Sequence, residues 1–202
     1  MLRYKDIEPR KDAFIFELDD VLYPEKDYLY QVYYLFTAFL EYTELINAKE
    51  ATNCMVNTYL SEGKDAVFDR LSKEFNIDEK YRDNFEHLNQ TAKLPLKLLI
   101  DPNLLNVLQE IVVDRKKIFI VTNGNPEQQL NKIKQVEWNG LEPYFTCYFA
   151  NEIAPKPETD CIDLLIKDHN LQRRNILMIG NSNIDAVCAE ACGIDFLCLN
   201  EL

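Results

Sequence analysis

Four apolar runs of strand length punctuate the chain: Ala13 to Phe16, Ile118 to Val121, Ile176 to Ile179 and Phe196 to Leu199, with a weaker fifth from Cys147 to Ala150. Between them lie stretches with the 3.6-residue period of amphipathic helices: Asn103 to Arg115, Pro126 to Val136, Glu158 to His169 and Ile184 to Cys192. Strands that are apolar at nearly every position, alternating with such helices, are the pattern of a parallel sheet covered on both faces. The prediction is an α/β, doubly wound, Rossmann-like core. Ligands of such sheets bind beyond the carboxyl ends of the strands, so chemistry should follow each apolar run directly.

The segment from Pro24 to about Lys97 breaks this rhythm. It contains no convincing strand; Tyr28, Val32, Leu35, Phe36, Phe39 and Leu40 fall on one helical face, and Ala66 to Phe75 and Glu79 to Leu88 repeat the pattern. That is too long for a plain crossover. An all-helical domain over 24–97 is therefore predicted as an insertion, leaving the core around Tyr23 to Asp27 and returning around Leu94 to Asp101, with 1–23 and 98–202 forming the core. A chain of 202 residues has room for both.

Polar groups do cluster after the apolar runs. Glu17, Asp19 and Asp20 follow the first, Thr122, Asn123 and Gly124 the second, and Gly180, Asn181, Ser182 and Asp185 the run at Ile176 to Ile179. Lys156 sits between Pro155 and Pro157 in a loop that these prolines stiffen. Three like charges at one strand end repel unless a cation offsets them, which argues for a site rather than an ordinary acidic loop. Plain structural alternatives exist for single residues. Asp20 suits a turn or cap, Thr122 to Gly124 a turn into the helix at Pro126, Asn181 and Ser182 a helix cap, Asp185 a first-turn acid, and Lys156 a solvated loop charge.

Taken together, Glu17-Leu18-Asp19-Asp20-Val21-Leu22-Tyr23-Pro24, Val121-Thr122-Asn123-Gly124, Lys156-Pro157 and Gly180-Asn181-Ser182-Asn183-Ile184-Asp185 resemble the four ordered motifs of the haloacid dehalogenase (HAD) superfamily, phosphatase-like branch, with a helical cap after the first motif. The resemblance implies a magnesium-dependent phosphatase acting on a small phosphorylated metabolite. It gives Glu17 the place of the nucleophile, Asp19 that of the acid/base, and Lys156 that of the cation holding nucleophile and phosphate. Thr122, Asn123 and Lys156 would grip the phosphate. Magnesium would take the Glu17 carboxylate, the backbone carbonyl of Asp19 and the fourth motif, where Asn181 and Asp185 stand. A carboxylate nucleophile divides hydrolysis into two easier steps, and a neighbouring acid protonates the leaving oxygen and then activates water.

Three positions depart from the family pattern, which has aspartate at 17 and 181 and threonine at 21. Glu17 carries an extra methylene that moves the attacking oxygen forward by about 1 Å, a misplacement that can cost on the order of 10²-fold. Asn181 lacks a charge that a hard cation favours, and Val21 lacks a hydroxyl. A relative that binds a phosphorylated ligand or a protein partner without turnover is the alternative. Carbon–halogen hydrolysis is a third possibility, against which Asp19 argues. An attack by Asp19 itself fails, because the residue two positions on is Val21.

With 22 basic and 34 acidic residues the net charge is −12, which disfavours nucleic acid and anionic membranes as partners. No apolar run approaches the ~18 residues of a membrane span, and the polar start has no signal-peptide core, so a cytoplasmic protein is expected. Cys54, Cys147, Cys161, Cys188, Cys192 and Cys198 contain no C-x-x-C pair and read as reduced, mostly buried thiols. Cys188 and Cys192, one helical turn apart, could share a metal, but their alanine-rich surroundings favour packing. The tyrosines at 28, 30, 33 and 34 read as packing rather than as a site.

Overall fold

A computed structural model describes residues 2–199. Strand β1 (Ala13–Phe16) leads to helices α1 (Glu25–Glu44), α2 (Ala48–Glu62), α3 (Val67–Phe75) and α4 (Arg82–Thr91). The chain continues through β2 (Leu98–Leu99), α5 (Pro102–Val113), β3 (Lys117–Thr122), α6 (Pro126–Gln135), β4 (Val136–Glu137) and β5 (Phe145–Phe149). It ends with α7 (Asp160–Asp168), β6 (Ile176–Gly180), α8 (Asn183–Cys192) and β7 (Asp195–Cys198). The chain divides into two compact units, one up to Pro24 and from Leu98 onward, the other Glu25–Lys97.

The first unit is a five-stranded sheet in the order β5-β3-β1-β6-β7, parallel throughout. β1 lies at its centre, with Phe16 opposite both Ile120 and Ile179. Because strand side chains alternate between faces, Ala13, Ile15, Phe119, Val121, Ile176 and Met178 share one side, where Cys161, Ile162 and Leu165 of α7 and Cys188, Ala189 and Cys192 of α8 close over them. Phe16, Ile118 and Ile120 face the other way, toward Leu108 of α5, Trp138 and Leu141. Each fully buried Ile, Leu or Phe contributes about 1.5–3 kcal/mol, so this central strand is the best-anchored part of the unit. β2 and β4 form a separate short parallel pair.

Local signals start the helices where the site needs them. Asp101 accepts from the Asn103 and Leu104 amides, Asn125 from those of Glu127 and Gln128, and in both α5 and α6 a proline occupies the first turn, where a missing N–H costs nothing. The fifth apolar run is strand β5, shifted toward the amino end, and β7 begins at Asp195, one residue earlier than the sequence pattern suggests. Glu158 and Thr159 precede α7 rather than opening it.

The second unit is all-helical. Phe36, Phe68 and Phe85 pack at 4.9–6.2 Å between ring centroids, and the Tyr28 hydroxyl donates to the Asn89 carbonyl at 2.6 Å. Tyr28 and Tyr33 are buried, whereas Tyr34 is 57% exposed. All six cysteines are unpaired; Cys54, Cys161, Cys188 and Cys192 are buried and Cys147 and Cys198 half-buried. Burial pushes the Cys54, Cys147 and Cys161 thiols up to about 11, which disfavours the thiolate form. No described helix is long and apolar enough to cross a membrane.

Candidate active site

The carboxyl ends of β1, β3 and β6, with the loop between β5 and α7 that carries Lys156, bring Glu17, Asp19, Thr122, Asn123, Lys156, Asn181 and Asp185 to one edge of the sheet. Glu17 extends the strand pairing by donating its N–H to the Ile179 carbonyl at 3.0 Å. Its longer side chain turns back, so that Oε1 accepts from the adjacent Leu18 N–H at 2.8 Å. The other oxygen is paired with Lys156.

Lys156 is 3% exposed. Its ammonium donates to Glu17, to Asp185 Oδ1 at 2.6 Å and to the Val121 carbonyl at 3.1 Å, using all three protons. The loop that carries it, with a cis Lys156–Pro157 peptide, is tied to the end of β3 by a reciprocal pair. Asn123 Nδ2 donates to the Lys156 carbonyl and Asn123 Oδ1 accepts from the Lys156 N–H, both at 2.9 Å. The Asn123 side chain is thus a tie between loops, and any phosphate contact falls to its backbone.

Asp185 has two tasks. Its Oδ2 accepts from the Ser182 hydroxyl at 2.6 Å and from the Asn181 and Ser182 amides at 3.4 and 3.3 Å, while Ser182 Oγ accepts from the Asp185 N–H. This is a capping box that starts α8, and its carboxylate also holds Lys156. The cap and the site share one residue. Gly180 is required beside it, since a Cβ there would lie 2.7 Å from the Asp185 Cβ. The Asn181 amide nitrogen donates to the Asp20 carbonyl at 3.3 Å, and Asp20 adopts a left-handed turn conformation at φ 56°.

Asp19 is held by Tyr23 of its own motif and by two residues that the motifs do not include, Gln129 and Lys132. Oδ2 accepts from Lys132 Nζ at 2.6 Å and Gln129 Nε2 at 2.9 Å, and Oδ1 from the Tyr23 hydroxyl at 2.7 Å. Gln129 also donates to Thr122 Oγ1 at 2.8 Å and to the Asn123 carbonyl at 2.9 Å. Lys132 is 1% exposed. Gln129, Lys132 and Ile133 form the buried face of α6 at i, i+3, i+4 spacing; the available signal was a helix face on which a glutamine and a lysine take core positions.

Burial pushes the Glu17 carboxyl above its ordinary value, with Lys156, Thr122 and the Leu18 N–H only partly opposing. Burial acts on Asp19 and Asp185 in the same direction but is outweighed, by Lys132, Gln129 and Tyr23 for the first and by Lys156, Ser182 and the Asn181 amide for the second, and both carboxyls lie low. For Lys156 burial alone would lower the ammonium's value, but Glu17 and Asp185 raise it instead. It stays charged.

Residues 14–199 match the family model described as haloacid dehalogenase-like hydrolase. The chain belongs to that family. Among solved structures, it is similar to a putative HAD-hydrolase, YfnB, from Bacillus subtilis, bound to magnesium, at 18% identity and a TM-score of 0.62 over 95% of this chain and 87% of that one. A hydrolase from Streptococcus pneumoniae TIGR4 is similar at 15% identity and TM-score 0.55, covering 95% and 96%. L-2-haloacid dehalogenase from Xanthobacter autotrophicus is similar at 16% and 0.56, covering 95% and 78%. No curated protein matches the sequence. These likenesses establish the HAD fold, and they span both metal-bound and dehalogenase members.

Magnesium, common in the HAD family, fits the present donors poorly. It takes oxygens from one or two carboxylates, in strict octahedral geometry. Here both oxygens of Glu17 and both of Asp185 are engaged, the Asp19 side chain is paired with Lys132, and position 181 presents an amide nitrogen toward Asp20. Among the described residues no group of three or more His, Cys, Asp or Glu side chains is arranged to hold a metal ion.

Proposed function

We propose that the protein is a HAD-type phosphohydrolase acting slowly on a small phosphorylated metabolite. One observation carries this reading: a carboxylate at the end of the central strand is paired with a buried lysine, on the same sheet edge as the Thr122 hydroxyl and a second carboxylate, Asp19. In the proposed reaction Glu17 leaves the Leu18 N–H and attacks phosphorus. A Glu17–phosphorus bond forms, the bond from phosphorus to the leaving oxygen breaks, and water then releases inorganic phosphate. Lys156 balances charge, the backbone amides after β1 and β3 grip phosphate oxygens, and Asp19 handles the protons. The net charge of −12 supports a small ligand over nucleic acid or a membrane surface, and six unpaired thiols suit the cytoplasm as its setting.

A second reading, binding of a phosphorylated ligand or protein partner without turnover, is favoured by the bond between Glu17 and the Leu18 N–H, which spends a phosphate-gripping donor on the chain itself. A broad panel of phosphate esters separates the two, run with wild type, Glu17→Asp and Glu17→Gln. The first reading expects turnover by wild type that Glu17→Gln abolishes. No turnover by wild type, with turnover gained by Glu17→Asp, would assign the second.

A further inference from the structure

The site holds three carboxylates, Glu17, Asp19 and Asp185, and each has a lysine ammonium within reach: Lys156 for Glu17 and Asp185, Lys132 for Asp19. Position 181, where the family pattern places a fourth carboxylate, is a neutral asparagine. An aspartate at 181 and an uncharged residue at 132 would make this cluster two charges more negative, which is the charge of one magnesium ion.

We propose that Lys132 and Asn181 together take the place of a divalent cation, so that the site keeps its charge balance without metal. Lys132 acts here as a positioning residue. Its ammonium is held in the protein interior against Asp19 Oδ2, alongside Gln129 and Tyr23 on the same carboxylate, and so Asp19 is oriented by fixed protein donors. The buried Gln129 side chain is itself committed, through one amide nitrogen, to Asp19, Thr122 and the Asn123 carbonyl, which anchors Lys132's helix to both strand ends. A cation entering beside Glu17 would have to displace the Leu18 N–H or the Lys156 ammonium from its carboxylate, and would meet a neutral amide at 181 in place of a charge. Cation affinity in oxygen sites follows the charge of the ligand set, so the buried ammonium at 132 and the neutral amide at 181 act in the same direction. The proposal concerns the charge of the site and stands apart from whether the protein turns over an ester.

The probes are magnesium, read by thermal melting, and manganese, read by water-proton relaxation. The expected result is that millimolar metal leaves wild type unchanged in both measurements, whereas Lys132→Met/Asn181→Asp binds at least about tenfold more tightly than wild type and melts about 2–4 °C higher with metal. Adding Glu17→Gln to that double variant should abolish the gain and locate the metal. Lys132→Arg/Asn181→Asp, which keeps the cation, should behave nearly as wild type. Metal binding by wild type that Glu17→Gln removes would overturn the proposal, as would a folded double variant indifferent to metal. If the double variant does not fold, the wild-type and Lys132→Arg/Asn181→Asp measurements decide, the latter overturning the proposal if it binds as tightly as predicted for the methionine variant. Ester turnover by wild type with chelator or with magnesium is measured alongside. Its absence in both would defeat the phosphohydrolase reading and leave the metal result standing.

Discussion

Lys11 and Lys156, two of the three almost fully buried lysines described in the α/β unit, lie at opposite ends of the sheet and are held in different ways. At the amino edge Lys11, 2% exposed, donates to the carbonyls of Arg174 at 2.8 Å and Ile176 at 3.1 Å and pairs with Asp195, whose side chain is 64% exposed. At the carboxyl edge Lys156 meets two carboxylates in the interior and a single carbonyl. Carbonyl dipoles and a water-facing carboxylate stabilise a cation without becoming dependent on it. Two interior carboxylates depend on their cation, because each is left an uncompensated charge when it goes. The second arrangement is the one built from the motif residues themselves.

Substitution of the two lysines gives the strongest test. Lys156→Met should destabilise by about 3–5 kcal/mol, the cost of stranding buried charge, while Lys11→Met should cost about 1–3 kcal/mol, the cost of unpaired polar groups; denaturant midpoints measure both. Equal losses would break the contrast. Next comes Gly180→Ala, whose new methyl must push Asp185 away from Lys156. A loss of about 1–3 kcal/mol is expected, only partly relieved in an Asp185→Ala background, where the carboxylate is gone but the Cβ at 2.7 Å remains.

Acidity sharpens the comparison further. Asp185 and Asp19 have lowered values in the folded protein, so their stabilisation is complete above the ordinary carboxylate value of about 3.9 and is lost as pH falls through the lowered ones. Glu17, raised by burial, acts in the opposite sense and takes up its proton earlier on acidification. Lys156, raised, loses its contribution only as pH climbs past the ordinary lysine value of 10.5 through its own. Melting temperature against pH should therefore fall on the acid side, and Asp185→Asn should fall less steeply there. The smallest effect is expected for Asn125→Ala, which removes the cap of α6 and with it about 1 kcal/mol. A loss no larger than that would show that the cap only supplements the anchoring of α6 through Gln129.

The sheet was legible because parallel strands buried on both faces are spelled as continuous apolar runs; Ala13 to Phe16 coincides with β1 and Ile176 to Ile179 lies within β6. The half-buried β5, whose apolar pattern is broken by Thr146, was readable only in part. In the candidate site, Glu17 and Asp19 follow β1, Thr122 ends β3, Asp185 lies in the first turn of α8 after β6, and Lys156 sits in a proline-marked loop, which is why the sequence could single them out. It could not single out Lys132 and Gln129. They lie inside a helix, where polar residues ordinarily face water, and only the packing of α6 against the sheet edge turns that face inward. Asn123 shows a third case, in which the motif marked the residue and the structure shows what its side chain holds.

The capping box of α8 has a consequence for how this site can change over generations. Asp185 is needed to begin a helix as well as to face Lys156, so a lineage that abandoned chemistry at this edge would still be selected to keep it, and with it the buried lysine. Glu17 and Asn181 carry no such double obligation. Asp185 by itself would therefore be a poor witness to whether a given descendant still works.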